Sequence, residues 1–527
     1  MSRLLAYIPC VSLCASGGQK GWNRRVRRFF ATAIILSLFI SALLTLTSKY
    51  YSDATETAPK VDIVDDAGRR EAPKDDGPHR PEYFEWETTS AFSPVAQDIA
   101  GSSIEQLCNS FPQHLLEAVV QPVLKMGSTE DRNKIEAQLE SVSACIQDLL
   151  IFSDLDESLH GRQVIDILED LPAAYHFEND DFGNYTYLRQ FRSKFGLSPD
   201  EANESRAIDG WRLDKYKFLP IIERAWTMRP DKRWYFFYET DTYVVWDTLF
   251  RFLENLDHET PLYIGSASPG RLEDPKDPAS VTWFANGGPG FVLSRAAMAR
   301  LLHRKTGRDG DYLEPSLSHR WLELLRQDPC GDSILGWALR DVGITLSGFW
   351  PMFNPYPLRG IPFSQPYWCQ PVLTMHKTKP EDMIKLWKWE HGRRTMDRPM
   401  TYRDLYDFHH KDRPFYLEDW DNAGGDGHRG PRVGSFAECG KACGEDMGCL
   451  QYNWHLGNCT FINSIRYGEH RAPEIPTDAP MSPDGHEWTY EESRFMSGWS
   501  APKIAQWYNE HQCETVQWVR PSLTRIF

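Results

Sequence analysis

The sequence predicts an α/β domain set between one membrane-spanning helix and a small disulfide-rich module. Three observations carry that expectation. Apolar, strand-like runs alternate with helix-like polar segments through the middle of the chain, the pattern of a parallel sheet with helices on its faces. Residues Phe29 to Ser48 carry no charge and are dominated by Ile, Leu, Phe and Ala. Four cysteines, Cys439, Cys443, Cys449 and Cys459, crowd into a short stretch near the C-terminus.

The apolar run supplies roughly the twenty residues a helix needs to cross a bilayer. Lys20, Arg24, Arg25, Arg27 and Arg28 precede it, and acidic residues from Asp53 onward outweigh Lys49 and Lys60 beyond it. The positive-inside bias therefore places residues 1–28 in the cytosol and the bulk of the chain in a lumen. No Ala-x-Ala-like site follows the run, so residues 29–48 are expected to be an uncleaved signal anchor rather than a removed signal peptide. Residues 49–100 are rich in Asp, Glu, Pro and Lys with little apolar periodicity, which reads as a flexible stem.

At 527 residues the chain is long enough for two or three globular units. Its formal net charge of −16 excludes a nucleic-acid grip, which needs a basic face. Of eleven cysteines, Cys10 and Cys14 fall on the cytosolic side and nine face an oxidising space. An odd number leaves at least one free or bridged to a second chain, which would make a disulfide-linked dimer. Asn184-Tyr-Thr, Asn203-Glu-Ser and Asn458-Cys-Thr are glycosylation acceptor patterns open to a lumenal chain.

Within the α/β domain, strands are expected at Leu116 to Leu124 and Asp148 to Ser153, with a helix around Arg132 to Val142 between them. A second helix, Leu213 to Thr227, leads into the aromatic strand that starts near Trp234. That strand runs into two acidic residues, Glu239 and Asp241, one position apart. Ligands of open α/β sheets collect outside the carboxyl ends of the strands. An acid-x-acid tip there suits a divalent metal held against a diphosphate and points to nucleotide-sugar chemistry; a solvated acidic turn is the alternative.

Three motifs come one after another: Glu239-Thr-Asp-Thr-Tyr-Val244, Gly287-Gly-Pro-Gly-Phe-Val-Leu-Ser294 and Cys330-Gly-Asp-Ser-Ile-Leu-Gly336. In this order and spacing the chain resembles glycosyltransferase family 31, the β-1,3-transferases that include Fringe and core 1 galactosyltransferase. The resemblance runs roughly from Gln113 to Lys388. It implies a GT-A fold, taken as residues 101–395, and an inverting transfer, expected to be β-1,3, from a UDP-sugar donor to a glycan or glycoprotein acceptor. It also implies Mn²⁺ or another divalent cation, and with the anchor a type II protein of the Golgi or endoplasmic reticulum membrane.

By the same resemblance Asp241 is the leading metal ligand, and His376, in Val372-Leu-Thr-Met-His376-Lys-Thr, completes the metal shell. Glu239 stands where the family usually has Asp, so it either coordinates or takes a ribose or outer role. A cation stabilises the charge that develops on the departing diphosphate, and imidazole with carboxylate suits Mn²⁺. An inverting displacement also needs a base beside the acceptor hydroxyl. Asp332 matches that position, with Gly331 in place of the usual Glu and helix N-capping as the competing role. Ser153 and Asp154 end an early strand and are candidates to meet the uridine or ribose, against a plain turn. Gly287 and Gly288 permit close approach of the backbone to the donor, against a tight turn without ligand. The segment Trp350 to Pro357 either lines the acceptor site with its rings or packs inside. The rival to an enzyme is a membrane-tethered glycan-binding or scaffold protein whose GT-A domain is inactive. Retention of Asp241, Asp332 and His376 together favours the enzyme.

From residue 396 to 434 charges, Gly and Pro dominate, as in a flexible linker. Gly425-Asp-Gly427-His-Arg-Gly430 spells a dinucleotide motif but has neither the strand before it nor the helix after it that the motif requires. The module at 435–527 is expected to open with a helix, Ser435 to Cys443, ahead of a strand at Leu450 to Trp454. Cys439 and Cys443 point the same way on that helix, so each bridges outward; zinc fits poorly, because the spacings match no common ligand pair. The module resembles a PAN or Apple-type domain, a fold that binds protein or carbohydrate. Cys108 with Cys145 and Cys330 with Cys369 are plausible bridges. The tail from Ser497 to Trp518 is expected to pack on the module and leave Cys513 unpaired.

Overall fold

A computed structural model of the chain describes residues 83–93, 101–196, 210–274, 276–277, 280–393, 398–410, 414–424 and 427–524. The expected cytosolic tail, the anchor at 29–48, the stem up to residue 82 and Asn203 lie outside them. Among the described residues no helix is long and apolar enough to cross a membrane.

An eight-stranded sheet forms the core. In chain order its strands are β1 (Val120–Lys125), β2 (Leu150–Ser153), β3 (Glu157–Leu159), β4 (Arg162–Asp166), β5 (Trp234–Glu239), β6 (Tyr263–Gly265), β7 (Phe291–Ser294) and β8 (Leu346–Gly348). They lie side by side as β8, β6, β7, β5, β1, β2, β4, β3. β5, β1, β2 and β4 are parallel, whereas β7 runs antiparallel to both β5 and β6. The sheet is therefore mixed, not the all-parallel one expected. The cause lies between β6 and β7, where a hairpin of Ala267–Leu272 with Val281–Ala285 takes the place of a helical crossover. Without a crossover the returning strand can pair only antiparallel.

β5 explains why the aromatic run is a strand. Successive side chains point to opposite faces, so Trp234, Phe236 and Tyr238 enter one hydrophobic cluster while Tyr235 and Phe237 enter another. Burial on both faces makes the run continuously apolar. The helix after β1 covers Arg132–Glu140 and is capped by the Asp131 carboxylate, which accepts from Asn133 N at 3.0 Å. Leu116 falls in a helix, Gln113–Ala118, rather than in β1. The single helix expected over Leu213 to Thr227 is two, Trp211–Asp214 and Phe218–Met228. Pro220 accounts for the break, since it fits the first turn of a new helix but not the interior of a continuous one.

The C-terminal part holds a five-stranded antiparallel sheet ordered Tyr416–Glu418, Met496–Trp499, Gln451–His455, Asn458–Ile462 and Gly427–Arg432. The helix Phe436–Glu445 is capped by Ser435; Cys439–Cys459 ties it to the sheet, and Cys443–Cys449 ties it to the turn ahead of the strand Gln451–His455. The two helical cysteines thus bridge outward as expected. Part of the expected linker is strand instead, because Gly430 and Pro431 are tolerated on the edge strand Gly427–Arg432.

The tail departs furthest from expectation. Cys513 is bonded to Cys369, so it is not the unpaired thiol, and Cys330 is not the partner of Cys369. Cys108–Cys145 forms as expected. Beyond the helix Ala501–Glu510 the chain returns to the α/β domain. Trp368 Nε1 donates to the His511 carbonyl at 2.8 Å, Gln517 N to the Cys369 carbonyl at 3.1 Å, and Ser522 N to the Gly348 carbonyl at 2.8 Å. Trp518–Val519 pairs with Tyr83–Phe84, so the end of the expected stem is folded as well. The aromatic content of the tail decides this: Trp518 is fully buried against Trp86 and Phe252. Residues from Pro81 to Phe527 consequently make one unit.

Non-reducing peptide mapping should recover a Cys369–Cys513 peptide. Cys513→Ser should lower unfolding stability by about 2–5 kcal/mol, the range for removing a bridge that closes a long loop, measured by denaturant titration.

Candidate functional site

β5 delivers its acidic tip to a turn that other elements lock. Thr242 N donates to the Glu239 carbonyl at 3.1 Å, and the Thr242 hydroxyl accepts from Glu239 N at 3.0 Å while donating to the Gly288 carbonyl at 2.7 Å. The chain then forms a short strand, Tyr243–Val244, paired with Thr374–Met375. That pairing carries His376 to the acidic tip, and Thr378 N donates to the Asp241 carbonyl at 3.0 Å.

Glu239, Asp241 and His376 each offer one ligand atom, and these atoms lie within 4.8 Å of one another. His376 Nε2 is 3.4 Å from Asp241 Oδ1, a buried oxygen with no hydrogen-bond partner. Lys134 Nζ stands 3.7 Å from Asp241 Oδ2. Burial would raise the Asp241 carboxyl, but His376 and the two lysines Lys134 and Lys125 outweigh it and hold the group down at about 2. Asp241 is thus ionised at physiological pH. Two carboxylates, one of them with an orphaned buried oxygen, and one imidazole fit a divalent cation of the Mn²⁺ type. Glu239 is the more occupied of the two acids, since its Oε1 sits 3.1 Å from Lys125 Nζ, which is itself 2.5 Å from Asp214 Oδ1.

Glycines make room for this cluster. A Cβ on Gly288 would fall 2.1 Å from His376 Cε1, so only glycine lets the imidazole reach the turn. Gly287 N donates to Asp332 Oδ2 at 2.9 Å. Asp332 is the second residue of the helix Gly331–Asp341, whose N-cap is Cys330, so its carboxylate is not the N-cap. Its other oxygen accepts from Ser333 N at 2.9 Å. Burial, with the Glu239 charge nearby, overcomes these hydrogen bonds and pushes Asp332 up to about 7. Gly331 has a steric reason to stand where Glu is usual in the resembled family: a Cβ there would lie 2.4 Å from the Lys215 carbonyl oxygen.

Ser153 and Asp154 are brought near but not presented. Both are fully buried. Asp154 Oδ1 accepts from Ser128 N at 2.7 Å and from Ser153 Oγ at 3.2 Å, and Lys217 Nζ lies 3.6 Å from Oδ2. The pair anchors the loop after β1 from behind. That loop carries a residue that sequence reasoning missed, Glu130, which accepts from Gly127 N at 2.8 Å and from the Thr240 hydroxyl. Burial pushes Glu130 up to about 7 despite Thr240, Lys217 and Lys125. The signal was available: Gly127-Ser-Thr-Glu130 lies just past the carboxyl end of β1, the strand next to β5, where ligands of such sheets gather.

A family model described as Fringe-like matches residues 220–321. The matched stretch contains Glu239, Asp241, Gly287 and Gly288 and ends before Asp332 and His376. No curated protein matches the chain. The Fringe-like match supports a glycosyltransferase role in general.

Gly331→Glu should destabilise the protein by about 1–3 kcal/mol through overpacking against Lys215, read as a lowered denaturation midpoint with unchanged denaturant slope. An equal midpoint would remove the steric account of that glycine.

Proposed function

We propose that the chain is an inverting, metal-dependent glycosyltransferase of GT-A fold, which moves a sugar from a UDP-sugar to a glycan or glycoprotein acceptor in β-1,3 linkage. The observation that carries this reading is the convergence of Asp241, His376 and Glu239 on one point, with Asp332 held across the Gly287 loop. The Fringe-like match around the first half of that site supports the same chemistry.

Asp241 and His376 would hold the cation, with Glu239 beside them and neutralised in part by Lys125. When bound, a divalent cation stabilises the negative charge that develops on the departing diphosphate. Asp332 takes the proton of the attacking hydroxyl, and the Gly287 N–H fixes the orientation of its carboxylate. A base poised near neutrality is efficient because it is partly deprotonated at working pH yet still basic enough to accept a proton. Gly287 and Gly288 let their loop close on Phe218 and His376 and so shape the donor side of the site, while Ser153 and Asp154 position the loop after β1 rather than touch the nucleotide.

The predicted anchor, with the disulfides on the far side of it, supports a type II protein of the Golgi or endoplasmic reticulum membrane. The C-terminal sheet with its disulfide-tied helix suits a PAN or Apple-type module.

Full-length protein supplied with a panel of UDP-sugars should release UDP with Mn²⁺ and not with EDTA, and Asp241→Asn should cut kcat/KM by about 100–1,000-fold. Turnover indifferent to both would contradict the proposal. The pH profile supplies a separate check. Asp332 must lose its proton to act, so kcat/KM should rise with pH through about 7 and fall as pH drops below it. Asp332→Asn should remove that limb and lower kcat by about 100–10,000-fold.

A further inference from the structure

A cavity of about 230 Å³ lies at the seam between the α/β domain and the C-terminal module. Tyr356, Arg359, Lys379 and Asp382 line it from one side, and Asp421 and Arg466 from the other. The seam is built rather than incidental. Phe363 and Ile465 exchange backbone hydrogen bonds at 3.0 and 2.8 Å, and Gly468 N donates to the Arg359 carbonyl at 3.0 Å. A Cβ at Gly468, which has φ +81°, would meet the Asp421 carbonyl oxygen at 2.2 Å, so this approach requires glycine.

The lining chemistry selects its ligand. Arg359 Nε is 3.2 Å from Asp382 Oδ2, and Asp421 and Arg466 face the cavity from the other side, so hydrogen-bond donors and acceptors both line it. Hydroxyl groups, which both give and accept hydrogen bonds, match such a lining. Asp382, Asp421 and Glu469 alternate with Arg359, Lys377, Lys379 and Arg466, so the lining offers no uniformly basic face to a nucleic acid, and its charge density argues against an apolar ligand. Tyr356 and Pro357 add an apolar face. The volume is below the ~300 Å³ lower bound of drug-sized pockets, a scale for a single sugar ring.

The cavity is tied to the candidate metal site through one short loop. Lys377 lines it and directly follows His376 in the left-handed region at φ 54°, and Thr378 holds the Asp241 carbonyl. Strained backbone of this kind persists where the surroundings over-determine it. Asp332 and Gly287 are not among the lining residues, so this is not the reacting position.

We propose that the seam cavity binds a sugar unit of a glycan at a distance from the reacting hydroxyl, with the α/β domain and the C-terminal module each supplying half of the site. The ligand class rests on the glycosyltransferase reading above; the location does not. The test uses the full-length protein on an array of immobilised neutral and acidic oligosaccharides. Wild type should bind a subset of them. Ala423→Phe, which places a ring in the cavity, should weaken that binding at least about 10-fold, equivalent to ~1.4 kcal/mol. Lys379→Ala, at an exposed cation with no ion pair among the described residues, should weaken it in the same direction without risk to the fold. Mn²⁺-dependent UDP release without acceptor should be unchanged in both. Absence of binding by wild type, or equal binding by wild type and both variants, would overturn the proposal. Loss of binding in the variants alongside no UDP release from any donor would keep the seam site and refute the transferase.

Discussion

The hydroxyl of Thr242 holds the candidate site together. It bonds Glu239 N on one side and the Gly288 carbonyl on the other, and so joins the end of β5 to the glycine loop that precedes β7. From that fixed turn the strand Tyr243–Val244 recruits Thr374–Met375, and His376 arrives beside Asp241 as a consequence. Residues far apart in the chain thereby become one cluster. The electrostatic result is a pair of acids with different environments: Asp241 aims an unsatisfied buried oxygen at the imidazole, whereas Glu239 is engaged by Lys125.

The second constraint is steric. Gly287, Gly288 and Gly331 each stand where a Cβ would strike a neighbour at 2.9 Å or less. Gly331 and Gly287 let the start of the helix Gly331–Asp341 and the loop before β7 close on Phe218, and Gly288 lets that loop close on His376. Asp332 is held by two backbone N–H groups within that junction and is nevertheless raised by burial. Asp241 and Asp332 therefore carry the same side chain at opposite ends of the carboxylate range, about 2 against about 7. Titratable groups pushed apart by their surroundings are suited to different tasks.

The parts of the fold that are legible in the sequence are those with a strong local cause. β5 is legible because alternate residues bury into two clusters and leave no polar gap. Asp241, His376 and Asp332 are legible because motif order places them at strand and helix ends. What is not legible depends on long-range contacts. The Cys369–Cys513 bond spans 144 positions and rests on the docking of the tail aromatics, which no spacing rule encodes. The strand Gly427–Arg432 hides behind Gly and Pro because an edge strand tolerates both. Ser153 and Asp154 sit where ligands of such sheets gather, yet β1 and its loop bury them, and Glu130 on that loop is the residue that reaches Thr240 at the acidic turn. The antiparallel turn of β7 comes from a hairpin in a segment that carries no helical period.

The tail and the C-terminal module are integral to the α/β domain, through the edge contact at Gly348, the disulfide at Cys369 and the seam at Arg359. The central claim concerns the cluster itself, and it is tested most directly by Mn²⁺ binding to the full-length protein in the presence of UDP, followed by the electron paramagnetic resonance of free Mn²⁺. The account predicts one bound ion per chain in the wild type and its loss in both Asp241→Asn and His376→Ala. Equal Mn²⁺ uptake by wild type and both variants would contradict it.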